Sequence, residues 1–288
     1  MVSIRGSGDT KAGDPPSADR RFGMSEKRLG QVLFAASAAV LVLVWHLWAS
    51  SNSPLISPTP GAVLSRLIEY VGTGRANQHI WITVQEITLG FLLGGVIGIG
   101  FGVLAAEFDI ARRVIMPYVI ITQALPKFAL APILVIWFGF GQEPKIIIAA
   151  LIAFFPLLEN TYLGLTSAPA EMIELFKALR ASRWTTLLKC RVPHAIPTIF
   201  SGLRVALMLA LVGAVVAEYV GANKGLGAQI IVAQGTLDTE LMYVAFVLLT
   251  ILGLVLDKLH GLAYRLVMRR LYGKGAAVAA DQQPKVSV

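Results

Sequence analysis

Apolar residues are grouped along this chain in six runs, each long enough for a helix that crosses a lipid bilayer. A transmembrane helix needs about 20 predominantly apolar residues. The runs predict spans at residues 29–49, 82–106, 114–138, 145–165, 197–221 and 240–262. Charged residues blur the ends of the last three runs, which contain Glu159, Arg204, Glu218 and Asp257. We therefore predict an all-α integral membrane protein with six transmembrane helices.

The composition agrees with a membrane protein and argues against a soluble domain. Hydrophobic residues make up 56% of the chain and charged residues 15%, whereas soluble domains carry about 25% charged residues. The formal net charge is +8, but the cations do not form one basic face on a polar domain, so nucleic acid is not an expected partner.

Both ends of the chain differ in composition from the apolar centre. Residues 1–28 are rich in Gly, Ser, Asp and Pro, which predicts a disordered tail. A second disordered tail is predicted at residues 271–288, leaving one transmembrane domain at 29–270. The first apolar run resembles a signal peptide, but it exceeds the usual 7–15-residue hydrophobic region. An uncleaved first transmembrane helix is the preferred interpretation.

The distribution of Lys and Arg predicts the orientation of the chain. If both termini are cytoplasmic, the tails and inner loops hold most of the cations, and the outer loops keep only Arg66, Arg75, Lys145 and Lys224. An excess of Lys and Arg marks cytoplasmic loops. Both termini are therefore expected in the cytoplasm.

The second run carries glycines at a spacing of four, which places them on one face of a helix. Such small-residue ridges let two helices approach closely. The predicted packing glycines are Gly90, Gly94, Gly98 and Gly102. No GxxxxGK[ST] phosphate loop and no HExxH motif is present, the histidines are dispersed, and Cys190 is the only cysteine. The chain is predicted to have no catalytic centre, no metal site and no nucleotide site of its own.

A basic amphipathic segment, residues 167–197, separates the fourth and fifth runs. It predicts two short helices, one starting near Pro169 and one after Ser182 as the N-cap. The two prolines that follow, Pro193 and Pro197, are expected to bend the chain into the fifth span. The apolar side chains of the two helices are Met172, Phe176, Leu179, Trp184, Leu187 and Leu188. Such helices can lie on anionic lipid headgroups, but the fixed frame between two spans favours docking of a cytoplasmic partner.

The same segment resembles the EAA loop of permeases from ABC importers, with the spacing E-A-A, three residues, G, nine residues, I, one residue, L-P. Glu174 and Pro193 match literally, whereas Arg180 stands at the glycine position and Cys190 at the isoleucine position. Glycine tolerates a backbone turn that arginine resists, so a differently shaped break between the helices is expected.

Further stretches resemble the nitrate, sulfonate and taurine subgroup of these permeases. They are SPTPGAVLSRL (57–67), LPKFALAPILVIWFGFG (125–141), FFPLLENTYLGL (154–165), IFSGLRVAL (199–207) and GAVVAEYVGANKGLG (213–227). The resemblance implies a type I importer fold and a multi-pass location in the bacterial inner membrane. The implied assembly contains two permease copies, two ATPases that bind ATP and magnesium, and an extracytoplasmic solute-binding protein. The implied coupling residues are Glu174, Phe176, Arg180, Trp184, Leu187 and Pro193.

Lys127 is the most informative candidate for a transport pathway. An uncompensated lysine within a span costs about 2.5–3.5 kcal/mol on insertion scales, so it either contacts a solute or pairs with an acid such as Glu159 or Glu86. Gln123, Glu159 and Asn160 are further candidates for the pathway. The expected solute is a small anion such as a sulfonate, nitrate or taurine. A vitamin or pyrimidine precursor, an ATP-independent secondary transporter and a structural membrane anchor remain as alternatives.

Overall fold

The computed structural model describes residues 26–221 and 223–281, and the side chains of residues 28–221 and 223–273. All regular elements in these ranges are helices. The chain divides into two compact units, residues 1–51 and 52–288. Tails were predicted at residues 1–28 and 271–288, and their parts at 1–25 and 282–288 lie outside the described residues.

The first unit contains helix α1 (Glu26–Ser50), which agrees with the first predicted span. It is apolar along its length, and most of its described side chains are exposed. By length and composition, α1 can cross a membrane.

The second unit contains the remaining helices. In chain order they are α2 (Pro60–Gly72), α3 (Arg75–Glu107), α4 (Asp109–Gln123), α5 (Ala131–Phe138), α6 (Glu143–Thr166), α7 (Ala170–Ala178), α8 (Arg183–Thr186), α9 (Val192–Gly221), α10 (Leu226–Gly235) and α11 (Thr239–Asp281). A 3₁₀ turn (Lys127–Leu130) precedes α5, and a π-helical turn (Leu187–Arg191) joins α8 to α9. The last helix, α11, contains one non-helical residue, Gly273. It continues past residue 270, although a disordered tail was predicted to start at residue 271.

The third predicted span is the one that departs most from expectation. The span predicted at residues 114–138 is a bent pair of helices, because the chain breaks between α4 and the 3₁₀ turn with a bend of 86°. Pro126 lies at this break, and a proline disfavours helical backbone at the residue before it. Five helical segments are long and apolar enough to cross a membrane, and the bent pair makes a sixth if it counts as one span.

The core is formed where α6 packs between α3 and α9. Its fully buried residues are small or aliphatic, and include Ala149, Ala153 and Leu157 of α6, Ile87 of α3, and Ala206, Ala210 and Ala214 of α9. Small side chains let neighbouring helices approach closely, which is how helices associate inside a bilayer.

The four glycines of α3 that are spaced by four, Gly90, Gly94, Gly98 and Gly102, lie against α6 with no room for a side chain. A Cβ atom built on Gly90 would lie 2.4 Å from the Ala149 Cβ, and one on Gly94 would lie 2.3 Å from the Ala150 carbonyl oxygen. A Cβ atom on Gly98 would lie 2.6 Å from the Phe154 carbonyl oxygen, and one on Gly102 would lie 2.6 Å from the Thr161 Cβ. These distances are shorter than van der Waals contact, so the glycine spacing sets the distance between α3 and α6.

A methyl group on this ridge should therefore destabilise the protein. We expect Gly94→Ala to lower the thermal midpoint of the detergent-purified protein by several degrees, because overpacking costs about 1–3 kcal/mol. Gly100→Ala is the matched control on the same helix, because nothing lies within 4 Å of its Cβ position. An equal loss of stability in both variants would show that close packing is not the cause.

Candidate functional site

A cavity of about 510 Å³ opens at the break between α4 and α5. Its wall is shared by the break, α6 and α9, the last contributing Val205 and Leu209. All the residues predicted for a transport pathway line this one cavity, namely Gln123, Lys127, Glu159 and Asn160. Non-helical backbone at membrane depth is tolerated where it lines a cavity of this kind.

Lys127 lies in the wall of the cavity and has no carboxylate partner among the residues that the structure describes. Its ammonium nitrogen Nζ is 4.2 Å from the centroid of the Phe155 ring, a cation–π contact. Within the described residues it forms no ion pair. The suggested pairing with Glu86 is wrong, because Glu86 lies 3.3 Å from Nζ of Lys145. A cation–π contact holds an ammonium group without neutralising it, so the positive charge faces the cavity.

The other polar groups of the cavity are presented by α6. Asn160 donates from Nδ2 to the Pro156 carbonyl oxygen at 2.8 Å. Gly202 of α9 approaches the same side chain so closely that a Cβ would lie 2.5 Å from the Asn160 Cβ. Glu159 is exposed. The cavity therefore offers a cation, a carboxylate and amide groups to a solute.

A second polar site, at the start of α10, was not predicted. Three backbone N–H groups there donate to side chains of other helices: Gly225 to Nδ1 of His79 at 3.2 Å, Leu226 to Oγ1 of Thr83 at 2.9 Å, and Gly227 to Oε2 of Glu218 at 2.6 Å. The first N–H groups of a helix have no intrahelical partner. The side chains of α3 and α9 therefore cap α10.

Glycine is required at this cap. A Cβ atom on Gly225 would meet Oε1 of Glu218 at 2.2 Å, and one on Gly227 would meet the Val215 carbonyl oxygen at 2.6 Å. Glu218 is fully buried and also accepts a hydrogen bond from Thr83 Oγ1 at 2.6 Å. Glu218 therefore lies inside the helix bundle, although it is near the end of α9.

The neighbourhood of this cap is also buried and polar. Glu86 and Lys145 are almost inaccessible, so Lys145 belongs to the core rather than to an outer loop. On α2, the Tyr70 hydroxyl donates to Oε1 of Gln229 at 3.1 Å. Burial raises the pKa of the Tyr70 phenol, which keeps it a hydrogen-bond donor. A sequence signal existed in the spacing of His79 and Thr83 by four and in the GLG triplet at 225–227.

The candidate coupling segment, residues 167–197, begins with α7 and a tight turn at Arg180. Arg180 has a φ of 52°, the left-handed conformation that glycine adopts without strain. Its N–H donates to the Lys177 carbonyl at 2.9 Å, and the Ala181 N–H donates to the Phe176 carbonyl at 3.0 Å. This pair of bonds is a Schellman motif. The expectation of a differently shaped break is wrong, because arginine here adopts the backbone that glycine would adopt.

The second half of the segment is continuous with α9. Ser182 is the N-cap of α8, as predicted, and accepts from the Thr185 N–H at 3.1 Å. Pro193 and Pro197 were expected to bend the chain into the fifth span, and both lie within the helical run that leads from the π-helical turn into α9. A proline has no N–H to donate and its ring crowds the preceding turn. The wider π turn before Pro193 provides room for that ring.

The segment exposes some apolar side chains and buries others. Trp184 is 63% exposed and Leu188 is 62% exposed, whereas Leu187 is 3% exposed and packs in a core cluster with Leu165 and Ala195. Leu187 is therefore not available to a partner, and Leu188 takes its place among the candidate contacts. Glu174 and Arg180 are exposed and Phe176 is half-buried.

An ion pair ties the π-helical turn to α3. Arg191 donates from Nη1 to Oε1 of Glu107 at 2.7 Å, and both side chains are largely buried. The pair borders an open cleft of about 830 Å³ between α7 and the junction of α3 and α4, which Lys177 and Arg183 also line. The exposed surface of the segment thus combines apolar anchors with cations.

We expect Arg180→Gly to stabilise the protein by about 1 kcal/mol, because it removes the cost of a left-handed conformation for a residue with a side chain. The measurement is the thermal midpoint of the detergent-purified protein. Arg180→Val should lower that midpoint, since a β-branched residue resists positive φ. A rise in both variants would show that removal of the charge, rather than backbone strain, is responsible.

Comparisons with known proteins identify one family. The sequence profile of the binding-protein-dependent transport system inner membrane component matches residues 98–272. A probable ABC transporter permease protein of Haemophilus influenzae is 38% identical over 219 residues, which cover 75% of this chain and 89% of that protein.

Two further relatives carry names that include a solute. The riboflavin transport system permease protein RibX of Chloroflexus aurantiacus is 36% identical over 80% of this chain and 87% of its own length. The putative aliphatic sulfonates transport permease protein SsuC of Bacillus subtilis is 29% identical over 84% of this chain and 89% of its own length.

Solved structures share the fold. A chain of the MetNI methionine ABC transporter, in an inward-facing conformation, superposes with a TM-score of 0.59 at 22% identity, covering 67% of this chain and 95% of that chain. About two thirds of this chain thus shares its fold with a chain of a solved ABC transporter.

Proposed function

This chain belongs to the family of binding-protein-dependent transport system inner membrane components, and we propose that it imports a small organic anion such as a sulfonate or taurine. The family is one of ABC transporter permeases, which are multi-pass proteins of the inner membrane. The ATP-independent transporter and the membrane anchor are therefore not retained as alternatives.

The observation that carries the proposed solute class is the unpaired cation in the cavity. Lys127 faces a space of about 510 Å³ with an aromatic ring as its nearest partner. A cation–π contact is worth about 0.5–2 kcal/mol, and an ion pair within the membrane is the usual way to compensate a lysine. An anionic group of the solute would supply that missing partner.

The remaining polar groups of the cavity suit the other end of such a solute. Glu159 could pair with a cationic group, as on a zwitterion, and Gln123 and Asn160 could form hydrogen bonds. A neutral or heterocyclic vitamin precursor is the second candidate, and the similarity to a riboflavin permease supports it. The two candidates differ in whether the charge of Lys127 is needed.

We propose further that two copies of this chain form the pathway and that two cytoplasmic ATPases supply the energy. ATP and magnesium would bind to the ATPases rather than to this chain, and a solute-binding protein would deliver the solute from outside. The exposed apolar and basic surface of residues 170–191 supports docking of the ATPase. Both termini would then be cytoplasmic, as the charge distribution predicts.

The solute class can be tested by removing the charge of Lys127. We expect Lys127→Met to lower ATP-driven uptake of taurine or ethanesulfonate at least tenfold, because a charge-assisted hydrogen bond contributes about 1.5–3 kcal/mol. Lys127→Arg is the matched control and should keep most of the uptake. The measurement uses radiolabelled solutes and the complex purified from native membranes in proteoliposomes. Uptake of riboflavin that is unchanged by Lys127→Met would favour the second candidate.

Docking of an ATPase can be tested by changing the exposed residues of the coupling segment. We expect the pair Glu174→Arg and Trp184→Ala to abolish co-purification of an ATPase and to reduce ATP-driven uptake to background. Trp137→Ala is the matched control for co-purification, since Trp137 is 72% exposed on α5, outside the coupling segment. Recovery of the ATPase with the double variant would contradict the proposed interface.

A further inference from the structure

The base of α9 contains a carbonyl group that its own helix cannot satisfy in the regular way. In an α-helix the carbonyl of residue i accepts from the N–H of residue i+4. For Pro193 that residue is Pro197, which lies inside α9 and has no N–H. Pro193 is also the second residue after the π-helical turn of the coupling segment, next to Val192. The unpaired carbonyl therefore lies where the coupling segment passes into the span.

The partner of this carbonyl comes from another helix. The hydroxyl of Tyr272, near the inner end of α11, donates to the Pro193 carbonyl oxygen. Tyr272 is followed directly by the non-helical Gly273 and is therefore the last residue before α11 departs from regular helical geometry. A side-chain hydroxyl thus replaces the backbone donor that Pro197 lacks.

We propose that Tyr272 is a positioning residue that makes α11 move together with the coupling segment. The inference rests on the proposed function, because it assigns a role in ATP-driven transport. Besides the packing of Leu187 against Leu165 of α6, the π-helical turn and the start of α9 have two side-chain hydrogen bonds to other helices among the described residues: Arg191 to Glu107 of α3, and Pro193 to Tyr272 of α11. Movement of α7 and α8 would reach α9 through the chain itself and reach α3 and α11 through these bonds.

The alternative is that the Tyr272 hydroxyl is a local contact of no consequence for transport. Backbone polar groups without a partner are costly where water is scarce, so some donor is needed at Pro193. A donor provided by α9 itself would satisfy the carbonyl without linking the two helices. The proposal requires that the donor be on α11.

The experiment compares Tyr272→Phe, Pro197→Ala and the double variant in the purified complex. Tyr272→Phe removes only the hydroxyl, and we expect the amount of solute transported per ATP hydrolysed to fall about fivefold while ATP hydrolysis continues. Pro197→Ala gives α9 its own N–H donor for the Pro193 carbonyl. Tyr264→Phe is the matched control, because Tyr264 lies on the same helix and contacts Phe200 through its ring.

The double variant distinguishes two effects of the Tyr272 hydroxyl: it satisfies the Pro193 carbonyl, and it links α11 to α9. If the link carries the coupling, the double variant stays poorly coupled, although hydrogen–deuterium exchange at residues 196–201 returns to the wild-type rate. Recovery of full coupling in the double variant would overturn the proposal and leave a purely local role for the hydroxyl. Wild-type coupling in Tyr272→Phe alone would also overturn it.

Failure of the proposed function would give a different result. The wild-type chain would then be recovered without an ATPase, and uptake would not respond to ATP. The bond between Tyr272 and Pro193 would still be visible in the detergent-purified protein, as faster exchange at residues 196–201 in Tyr272→Phe and no change in Tyr264→Phe. Equal exchange in those two variants would show that the bond is not formed.

Discussion

The structure depends on one constraint: every backbone N–H and C=O group inside a bilayer needs a partner within the protein. The regular spans satisfy this constraint with hydrogen bonds inside each helix. Where a span is interrupted, the freed backbone groups need partners from elsewhere in the protein. The carbonyl freed by Pro197 accepts from Tyr272, and the first N–H groups of α10 donate to His79, Thr83 and Glu218. The break after α4 instead borders a cavity. Each interruption coincides with a site that the proposed transport cycle uses or with a contact between helices.

The packing of α6 explains how these sites can act together. Glycines of α3 lie against one side of α6, and small residues of α9 lie against the other. Such an interface is dense and leaves little freedom for either neighbour to shift independently. The cavity that contains Lys127 is walled by the same α6 and α9. Since helical structure runs unbroken from the π-helical turn of the coupling segment into α9, a displacement of that segment would act on one wall of the proposed pathway.

Patterns that depend on local geometry were predicted well from the sequence. Ser182 caps a helix because its hydroxyl reaches an N–H three residues on, and the glycines of α3 share a face because of the helical period. The pathway candidates Gln123, Lys127, Glu159 and Asn160 line one cavity, since an intramembrane cation and its polar neighbours require such a space. By contrast, Leu187 and Leu188 are adjacent and equally apolar, so composition could not show which one is buried.

The sequence by itself determined the helical class, the spans, the family and the frame of the coupling segment, because hydrophobicity, helical period and residue spacing are local properties. Tertiary structure alone decided which charges pair. Lys145 pairs with Glu86 while Lys127 rests on Phe155, and Glu218 caps α10 from another helix. The partners Lys145 and Glu86 are far apart along the chain, as are Lys127 and Phe155. Their pairing follows from the distances between α3, α6, α9 and α10, which no local pattern encodes.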